Sequence, residues 1–152
     1  MFTLVPSQFF DPASARKALA EVAELPEGAG VGHIEIPQYD AVLVYATDGD
    51  SVVDNPPEIY GLLTRLPDCP EYNKILCKQG DGRLLLAIAQ GKSLLLANSF
   101  PAPDFTTAEY YLFLSLNTLQ LNPEISTVCW MSPLEDDDKM SLYRYFKSVV
   151  RL

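Results

Sequence analysis

The chain has 152 residues, of which 48% are hydrophobic and 20% charged, so it can build one domain with its own core or two small lobes. Lys and Arg number 11 against 20 Asp and Glu, and the net charge of −9 disfavours binding to nucleic acids or anionic membranes, which needs clustered basic residues. Cys69, Cys77 and Cys129 match no disulfide framework, and the N-terminus lacks a signal peptide, so we predict a cytoplasmic location.

The N-terminal segment predicts a short strand followed by a helix. Phe2–Val5 is apolar and stops at a proline, which lacks the N–H that a sheet ladder needs. Asp11 is placed to cap a helix that has Pro12 at its first position. Pro26 and the glycine-rich stretch 28–32 are predicted to end this helix. Its predicted buried face comprises Ala15, Ala18, Leu19 and Val22.

A second strand and a second helix complete the first half. Ala41–Ala46 is apolar throughout, which is typical of a central strand buried on both faces. The polar segment Thr47–Pro57 predicts a loop, and its closing prolines open the helix. The predicted buried face of this helix comprises Ile59, Leu62, Leu63 and Leu66. A linker bracketed by prolines follows, so we predict two lobes, residues 1–68 and residues 69–152.

The second half opens with a predicted three-stranded antiparallel meander, formed by Asn73–Lys78, Arg83–Ala89 and Lys92–Asn98. The connections Gln79–Gly82 and Gln90-Gly91 contain glycines in positions typical of hairpins.

A helix with several start signals follows the meander. Thr106 is the predicted N-cap, Glu109 its capping-box partner, and Phe105 is placed to pack on Tyr110 as a hydrophobic staple. The helix is predicted to run to about Leu121. Its apolar residues cover more than one side, which predicts burial on more than one face.

The C-terminal segment predicts one more strand and a final helix. Ser126–Met131 has Val128 and Trp130 at alternating positions, which predicts the strand. Glu135–Asp138 leads into the helix, and its acidic residues suit the positive end of the helix dipole. The predicted face of this helix comprises Leu142, Tyr145, Phe146 and Val149. The resulting order β-β-β-α-β-α is the layout of a ribonuclease-H-like domain, in which the crossover helix makes the fourth strand parallel to its neighbour.

The sequence shows no familiar pattern for catalysis, metal binding or phosphate binding. His33 is the sole histidine and is better explained as a loop or strand-edge residue than as a catalytic base. Glu135–Asp138 lacks the spacing of a calcium loop and is better explained as a solvated helix start. Asp48-Gly49-Asp50 resembles a fragment of an acidic metal site, whereas Asp81-Gly82 fits a hairpin turn. We predict no catalytic residues, no metal and no cofactor.

Several segments are similar to a known family. They are Leu4–Ser7, Phe10-Asp11, Ala41–Ala46, Asn98–Phe100, Thr106–Leu114 and Leu119–Glu124. They resemble domain-of-unknown-function family 3822, found in the Bacteroidetes. The resemblance implies an actin-like ATPase fold, with two ribonuclease-H-like lobes around a cleft. It also implies a partial member, whose first lobe lacks the meander expected before Phe2 and whose second lobe would continue past Leu152.

The resemblance also indicates where a nucleotide would bind. Actin-like ATPases hold phosphates and magnesium on an Asp- and Gly-rich loop between the first two strands of each lobe. Here that loop is Lys78–Gly82, and Gly80, Asp81 and Gly82 are its candidate cofactor-binding residues. Because Lys78 stands at the strand end, where an acid is expected, and Met131–Pro133 replaces the glycine pair that would admit adenosine, we expect no ATP hydrolysis.

The function that we predict is a non-catalytic actin-like scaffold or protein-interaction module, with a protein partner or a second copy of the chain. Two alternatives stay open. One is a nucleotide-binding, ATPase-like protein in its full-length form, and the other is an unrelated enzyme that uses Asp or Cys residues in a cleft.

Overall fold

A computed structural model of the chain describes residues 2–25, 28–47 and 57–152. They form two compact units, Met1–Gly61 and Leu62–Leu152. The boundary between two lobes after residue 68 remains a prediction. Pro26 and residues 48–56, which include the Asp48-Gly49-Asp50 motif and most of the predicted loop, lie outside the described residues.

The first unit contains a three-stranded antiparallel sheet in the order β1-β3-β2. Its strands are β1 (Phe2–Pro6), β2 (Gly30–Ile36) and β3 (Ala41–Thr47). The first five residues of β3 are buried and the strand lies in the middle of the sheet, which confirms the interpretation of its apolar run as a central strand.

Strand β2 corrects the prediction, in which its glycines only marked the end of a helix. Gly32 lies opposite Tyr45 of β3 in the antiparallel ladder. A Cβ on Gly32 would come within 2.8 Å of the Tyr45 ring, so glycine lets this aromatic side chain lie against the backbone of β2. These glycines therefore serve close packing within a sheet.

The predicted helix start at Asp11 is confirmed, but the helix is short. Asp11 Oδ1 accepts a hydrogen bond from the N–H of Ala13 at 3.0 Å, and Pro12–Ser14 forms a 3₁₀ turn that leads into α1 (Ala15–Ala20). The buried cluster of this unit comprises Ala15, Leu19, Val42 and Val44. Val22 was expected on the same face, but it lies beyond α1 and is 62% exposed.

The second unit contains a five-stranded sheet in the order β6-β5-β4-β7-β8. Its strands are β4 (Asn73–Gly80), β5 (Arg83–Gln90), β6 (Ser93–Pro101), β7 (Thr127–Trp130) and β8 (Ser148–Arg151). The first three form an antiparallel meander, and β7 pairs in parallel with β4 and with β8. The predicted meander and the predicted parallel fourth strand are both confirmed.

The second unit contains α3 (Phe105–Thr118) and α4 (Asp136–Tyr143), and the division between the two units falls within α2 (Glu58–Arg65). The predicted apolar face of α2 and the turn after it is buried, since Ile59, Leu62, Leu63 and Leu66 are each 1% exposed or less. The main core packs α3 and α4 against one face of the second sheet. Its largest members include Ile75, Leu84, Leu86, Leu112, Trp130 and Phe146.

The last element is strand β8, which corrects the prediction of a long final helix. Helix α4 ends at Tyr143, and Val149 pairs with Val128 of β7. Two consecutive β-branched residues favour an extended chain, and β7 supplies its backbone partners. Tyr145, predicted to face the core, is 48% exposed as a result.

The predicted capping box of α3 is also wrong. Asp104 is the N-cap, and its Oδ1 accepts a hydrogen bond from the N–H of Thr107 at 2.7 Å. Phe105 is then the first helical residue, and its ring lies 5.8 Å from that of Trp130 instead of stapling onto Tyr110. The earlier start gains this core contact, and the carboxylate suits the positive end of the helix dipole.

Helix α3 was predicted to be buried on more than one face. Its fully buried residues lie on one face, and Tyr111 and Phe113 are partly buried against the same core. The buried face comprises Ala108, Leu112, Ser115 and Leu116. Tyr110 and Leu114, one turn apart on the other side, are 60% and 44% exposed. We call this pair the α3 outer stripe.

Candidate functional site at the carboxyl edge of the second sheet

Ligand sites in open α/β sheets usually lie beyond the carboxyl ends of the strands. In the second unit the relevant ends are those of β4 and β7. The β4–β5 turn and the segment Met131–Pro133 follow these ends, and both were expected from the sequence to mark a nucleotide site. The N–H of Met131 donates to the carbonyl of Cys77 at 2.8 Å, so the first residue after β7 is still bonded to the backbone of β4.

The β4–β5 connection is a two-residue turn. The strands stay paired up to Gly80 and Arg83, which leaves only Asp81 and Gly82 to reverse the chain. Their φ angles of 53° and 71° are those of a type I′ hairpin turn. Lys78, predicted to end its strand, lies within β4. Residues 78–80 are therefore part of the strand ladder and do not form a loop that could wrap around a phosphate.

Ser132 occupies the space beside this turn. Its Oγ accepts a hydrogen bond from the N–H of Gln79 at 3.0 Å, and its side chain is buried. Phosphate cradles are lined by successive backbone N–H groups that point at the ligand. Here the N–H of Gln79, the residue before the three candidates, is already bonded within the protein.

The guanidinium of Arg83 is held along the sheet. Its Nε donates to Ser99 Oγ at 2.6 Å and its Nη2 to the Ser99 carbonyl at 3.3 Å. The N–H of Ser99 donates to Oδ1 of Asn98 at 2.8 Å. Both backbone groups of Ser99 on the edge strand β6 are thus occupied by side chains, which protects this part of the edge from pairing with another strand.

The other predicted positions are not brought together. His33 is exposed on β2, an edge strand of the first sheet, with its ring 4.9 Å from that of Phe10, which agrees with the strand-edge interpretation. Asp136, Asp137 and Asp138 form the first turn of α4. Burial, with added repulsion from Glu135 and Asp137, raises the pKa of Asp138. Among residues 2–25, 28–47 and 57–152, no group of three or more His, Cys, Asp and Glu is arranged to hold a metal ion.

Sequence reasoning assigned Glu109 the wrong partner. Its two carboxylate oxygens lie 3.0 and 2.9 Å from the Ser141 hydroxyl, which links α3 to α4. Partial burial raises the pKa of Glu109, although the hydrogen bond from Ser141 opposes this. Because Ser141 lies far along the chain, no local spacing could indicate this pair.

The first unit contains an open cleft of about 370 Å³, lined by Pro6, Ser7, Gln8 and Asp40. The N–H of Ser7 donates to the Asp40 carbonyl at 2.8 Å, which joins the two walls. The lining offers a hydroxyl, an amide and a carboxylate, but no histidine, cysteine or lysine that could activate a nucleophile. No described helix is long and apolar enough to cross a membrane.

Comparisons with known proteins agree with this fold. A solved protein from Bacteroides thetaiotaomicron VPI-5482, described as having an actin-like ATPase fold and unknown function, matches with a TM-score of 0.80 and 17% identity. The match covers 99% of this chain and 64% of that chain, so this chain spans less than two thirds of its neighbour's length. At this identity the likeness shows the fold alone, which is the predicted actin-like ATPase fold with a ribonuclease-H-like second unit.

Sequence comparisons identify the family. The search of curated proteins gives no match. The model of a family described as protein of unknown function (DUF3822) matches residues 61–149, which is more than half of the chain. The matched stretch includes the whole meander, α3, β7 and α4, and so contains the carboxyl edge described above. The chain therefore belongs to the DUF3822 family.

Proposed function

We propose that the chain is a non-catalytic actin-like scaffold, a module that binds a protein partner and does not hydrolyse ATP. The observation that carries this proposal is the two-residue turn at Asp81 and Gly82, at the position where the actin-like ATPases that it resembles carry a phosphate loop. Ser132 and Ser99 add support, because they engage the Gln79 N–H and the Arg83 guanidinium that a phosphate would otherwise attract.

An interaction role is supported by the α3 outer stripe. Its two large apolar side chains lie one turn apart on the surface, and an exposed apolar patch rimmed by polar residues is typical of a protein-binding site. No Lys or Arg occurs in α3, and the charged groups at its N-terminal end are two carboxylates, Asp104 at the N-cap and Glu109 in the first turns. Charge complementarity therefore favours a protein partner with an apolar centre and a basic rim. Because side chains occupy both backbone groups of Ser99, we favour docking on the helix over strand addition to β6.

The ATP part of the proposal is tested by thermal unfolding with and without millimolar Mg-ATP. A ligand that binds only the folded state must raise the melting temperature. We expect no change. An increase that requires magnesium would contradict the proposal and favour the alternative, in which the full-length form binds nucleotide. That alternative has the fold likeness in its favour, together with the greater length of the solved neighbour.

The interaction part is tested by affinity capture from a lysate of the source organism. The wild type is compared with a Tyr110→Ser, Leu114→Ser double variant and with an Ile125→Ser control, since Ile125 is 63% exposed outside the stripe. We expect one protein to be captured by the wild type and the control, to be lost with the double variant, and to be released by added salt. Equal capture by all three forms would refute the stripe as the docking face, and self-association would identify a second copy as the occupant.

A cytoplasmic location is part of the same proposal. It is supported by Cys69, Cys77 and Cys129, which are all buried free thiols, as expected of a protein that folds in a reducing compartment.

A further inference from the structure

The two units differ in charge. Residues 1–61 contain two Lys and Arg against ten Asp and Glu, so the first unit carries a net charge of −8 out of −9 for the whole chain. Residues 62–152 contain nine basic and ten acidic residues and are nearly neutral. Because the fields of like charges add, an acidic unit attracts cationic groups and repels anions. A ligand of the first unit is therefore expected to be positively charged.

The open cleft of about 370 Å³ belongs to this acidic unit. Pro6 is the last residue of β1 and Asp40 directly precedes β3, so the cleft lies at one end of this strand pair. Ser7, Gln8 and Asp40 contribute a hydroxyl, a carboxamide and a carboxylate, each of which accepts hydrogen bonds. The lining contains no basic side chain that would neutralise Asp40. It is suited to a cation with several N–H donors.

The backbone of Asp40 is fixed on both sides. Its carbonyl accepts a hydrogen bond from the N–H of Ser7 at 2.8 Å, and its own N–H donates to the carbonyl of Pro37 at 3.4 Å. Its φ of 50° and ψ of 43° are left-handed, a conformation that Asp and Asn adopt more readily than other L-residues. The carboxylate is thus carried by a well-defined backbone, and Asn can replace Asp there without a change of conformation.

We propose that this cleft binds a guanidinium group, presented by an arginine side chain of a polypeptide partner. A guanidinium is planar, has five N–H donors, pairs with a carboxylate through two parallel hydrogen bonds, and is more weakly hydrated than an ammonium. Asp40 supplies the carboxylate, and the side-chain oxygens of Ser7 and Gln8 are further acceptors. A free amino acid would bring its own carboxylate to a lining without a basic residue, so an arginine within a chain is favoured.

The site is tested by nuclear magnetic resonance on the isotope-labelled full chain, titrated with N-acetyl-L-arginine amide. In this probe the guanidinium is the sole charged group. We expect shifts that saturate at millimolar probe and are largest for the amide signals of Ser7, Gln8 and Asp40, and that shrink when salt is added. Absence of shifts, or shifts that spread over the acidic residues without saturation, would overturn the proposal.

A matched pair of variants separates the cleft from the overall charge. Asp40→Asn keeps the shape and the backbone conformation and should weaken binding by about fivefold, which is what an exposed ion pair can contribute. Glu21→Gln removes the same charge from an exposed residue of the same unit outside the cleft, and should bind as the wild type does. Equal affinities in all three forms, or equal losses in both variants, would overturn the assignment. The wild-type titration decides the outcome even if a variant fails to fold.

Two further probes test the chemistry and the source of the ligand. N-acetyl-L-lysine amide should bind more weakly than the arginine probe, and equal or tighter binding would overturn the choice of a guanidinium. Free L-arginine should also bind more weakly, and tighter binding would replace the polypeptide partner by a small molecule. The Tyr110→Ser, Leu114→Ser variant should bind the arginine probe as the wild type does, so this site and the α3 outer stripe can fail independently.

Discussion

The turn at the carboxyl edge of β4 contains a matched pair of glycines. Gly82 has a φ of 71°, a conformation that side chains rarely adopt, whereas Gly80 lies in β4 without a positive φ. A Cβ placed on either residue meets nothing within 4 Å. Gly82→Ala and Gly80→Ala therefore add the same methyl group to open space and differ in the backbone conformation that must accept it.

The expected effects follow from two opposing contributions. An L-residue in the left-handed region costs roughly 1–2 kcal/mol. Replacing Gly by Ala stabilises by about 0.4–1 kcal/mol where no strain arises, because the unfolded chain loses freedom. Gly80→Ala should thus be neutral or slightly stabilising, and Gly82→Ala should be less stable than Gly80→Ala by roughly 1–2 kcal/mol. For a chain of this length each kcal/mol shifts the melting temperature by about 2–4 °C.

Urea unfolding followed by circular dichroism measures the difference directly. Both variants should keep the wild-type dependence of unfolding free energy on urea, since neither changes the buried surface. If the two alanine variants proved equally stable, Gly82 would not sit in a type I′ turn. The absence of a phosphate loop between β4 and β5 would then no longer follow from the turn.

Three further results are expected. Because burial raises the pKa of Glu109, the folded state favours its protonated form, and its contribution to stability falls as the pH rises through the folded pKa. Glu109→Gln, which stays neutral beside Ser141, should gain stability relative to wild type at neutral pH and not in acid, as urea titrations at both pH values would show. A backbone hydrogen bond lowers the pKa of Asp104, so its contribution is present above its unfolded pKa and is lost as the pH falls through the folded one. Asp104→Ala should lower the melting temperature at neutral pH but not in strong acid. Thr106→Ala should leave the melting temperature unchanged at both pH values. Ser132→Ala leaves a strand N–H without its acceptor and should cost about 1–3 kcal/mol by urea unfolding, with unchanged far-ultraviolet circular dichroism.

The meander could be predicted because its signals are local. Asp81 and Gly82 tolerate positive φ, and the apolar runs on either side have the length of strands. Strand β3 could also be predicted, since a short continuous run of apolar residues is typical of a central strand buried on both faces. In both cases the residues that decide the structure are neighbours in the sequence.

The elements that were missed depend on distant partners. Gly32 reads as a helix stop until Tyr45 is known to lie against it. Val149 fits a helical face until it pairs with Val128 of β7. Asp104 rather than Thr106 caps α3 because the ring of Phe105 then meets Trp130. Propensity decides little at such positions, because a tertiary contact outweighs it.

The position of the candidate site and its chemistry have different origins in the sequence. Its position follows from topology, since a parallel β4–β7 pair has its carboxyl ends side by side wherever this fold occurs. Its chemistry depends on how many residues separate β4 from β5. The strand ladder takes up Lys78, Gln79 and Gly80, and the two residues that remain are the fewest that a common hairpin turn needs. A phosphate cradle needs additional residues with free N–H groups, so binding a triphosphate here would require β4 and β5 to unpair at this end, against Ser132 and the ladder that hold them.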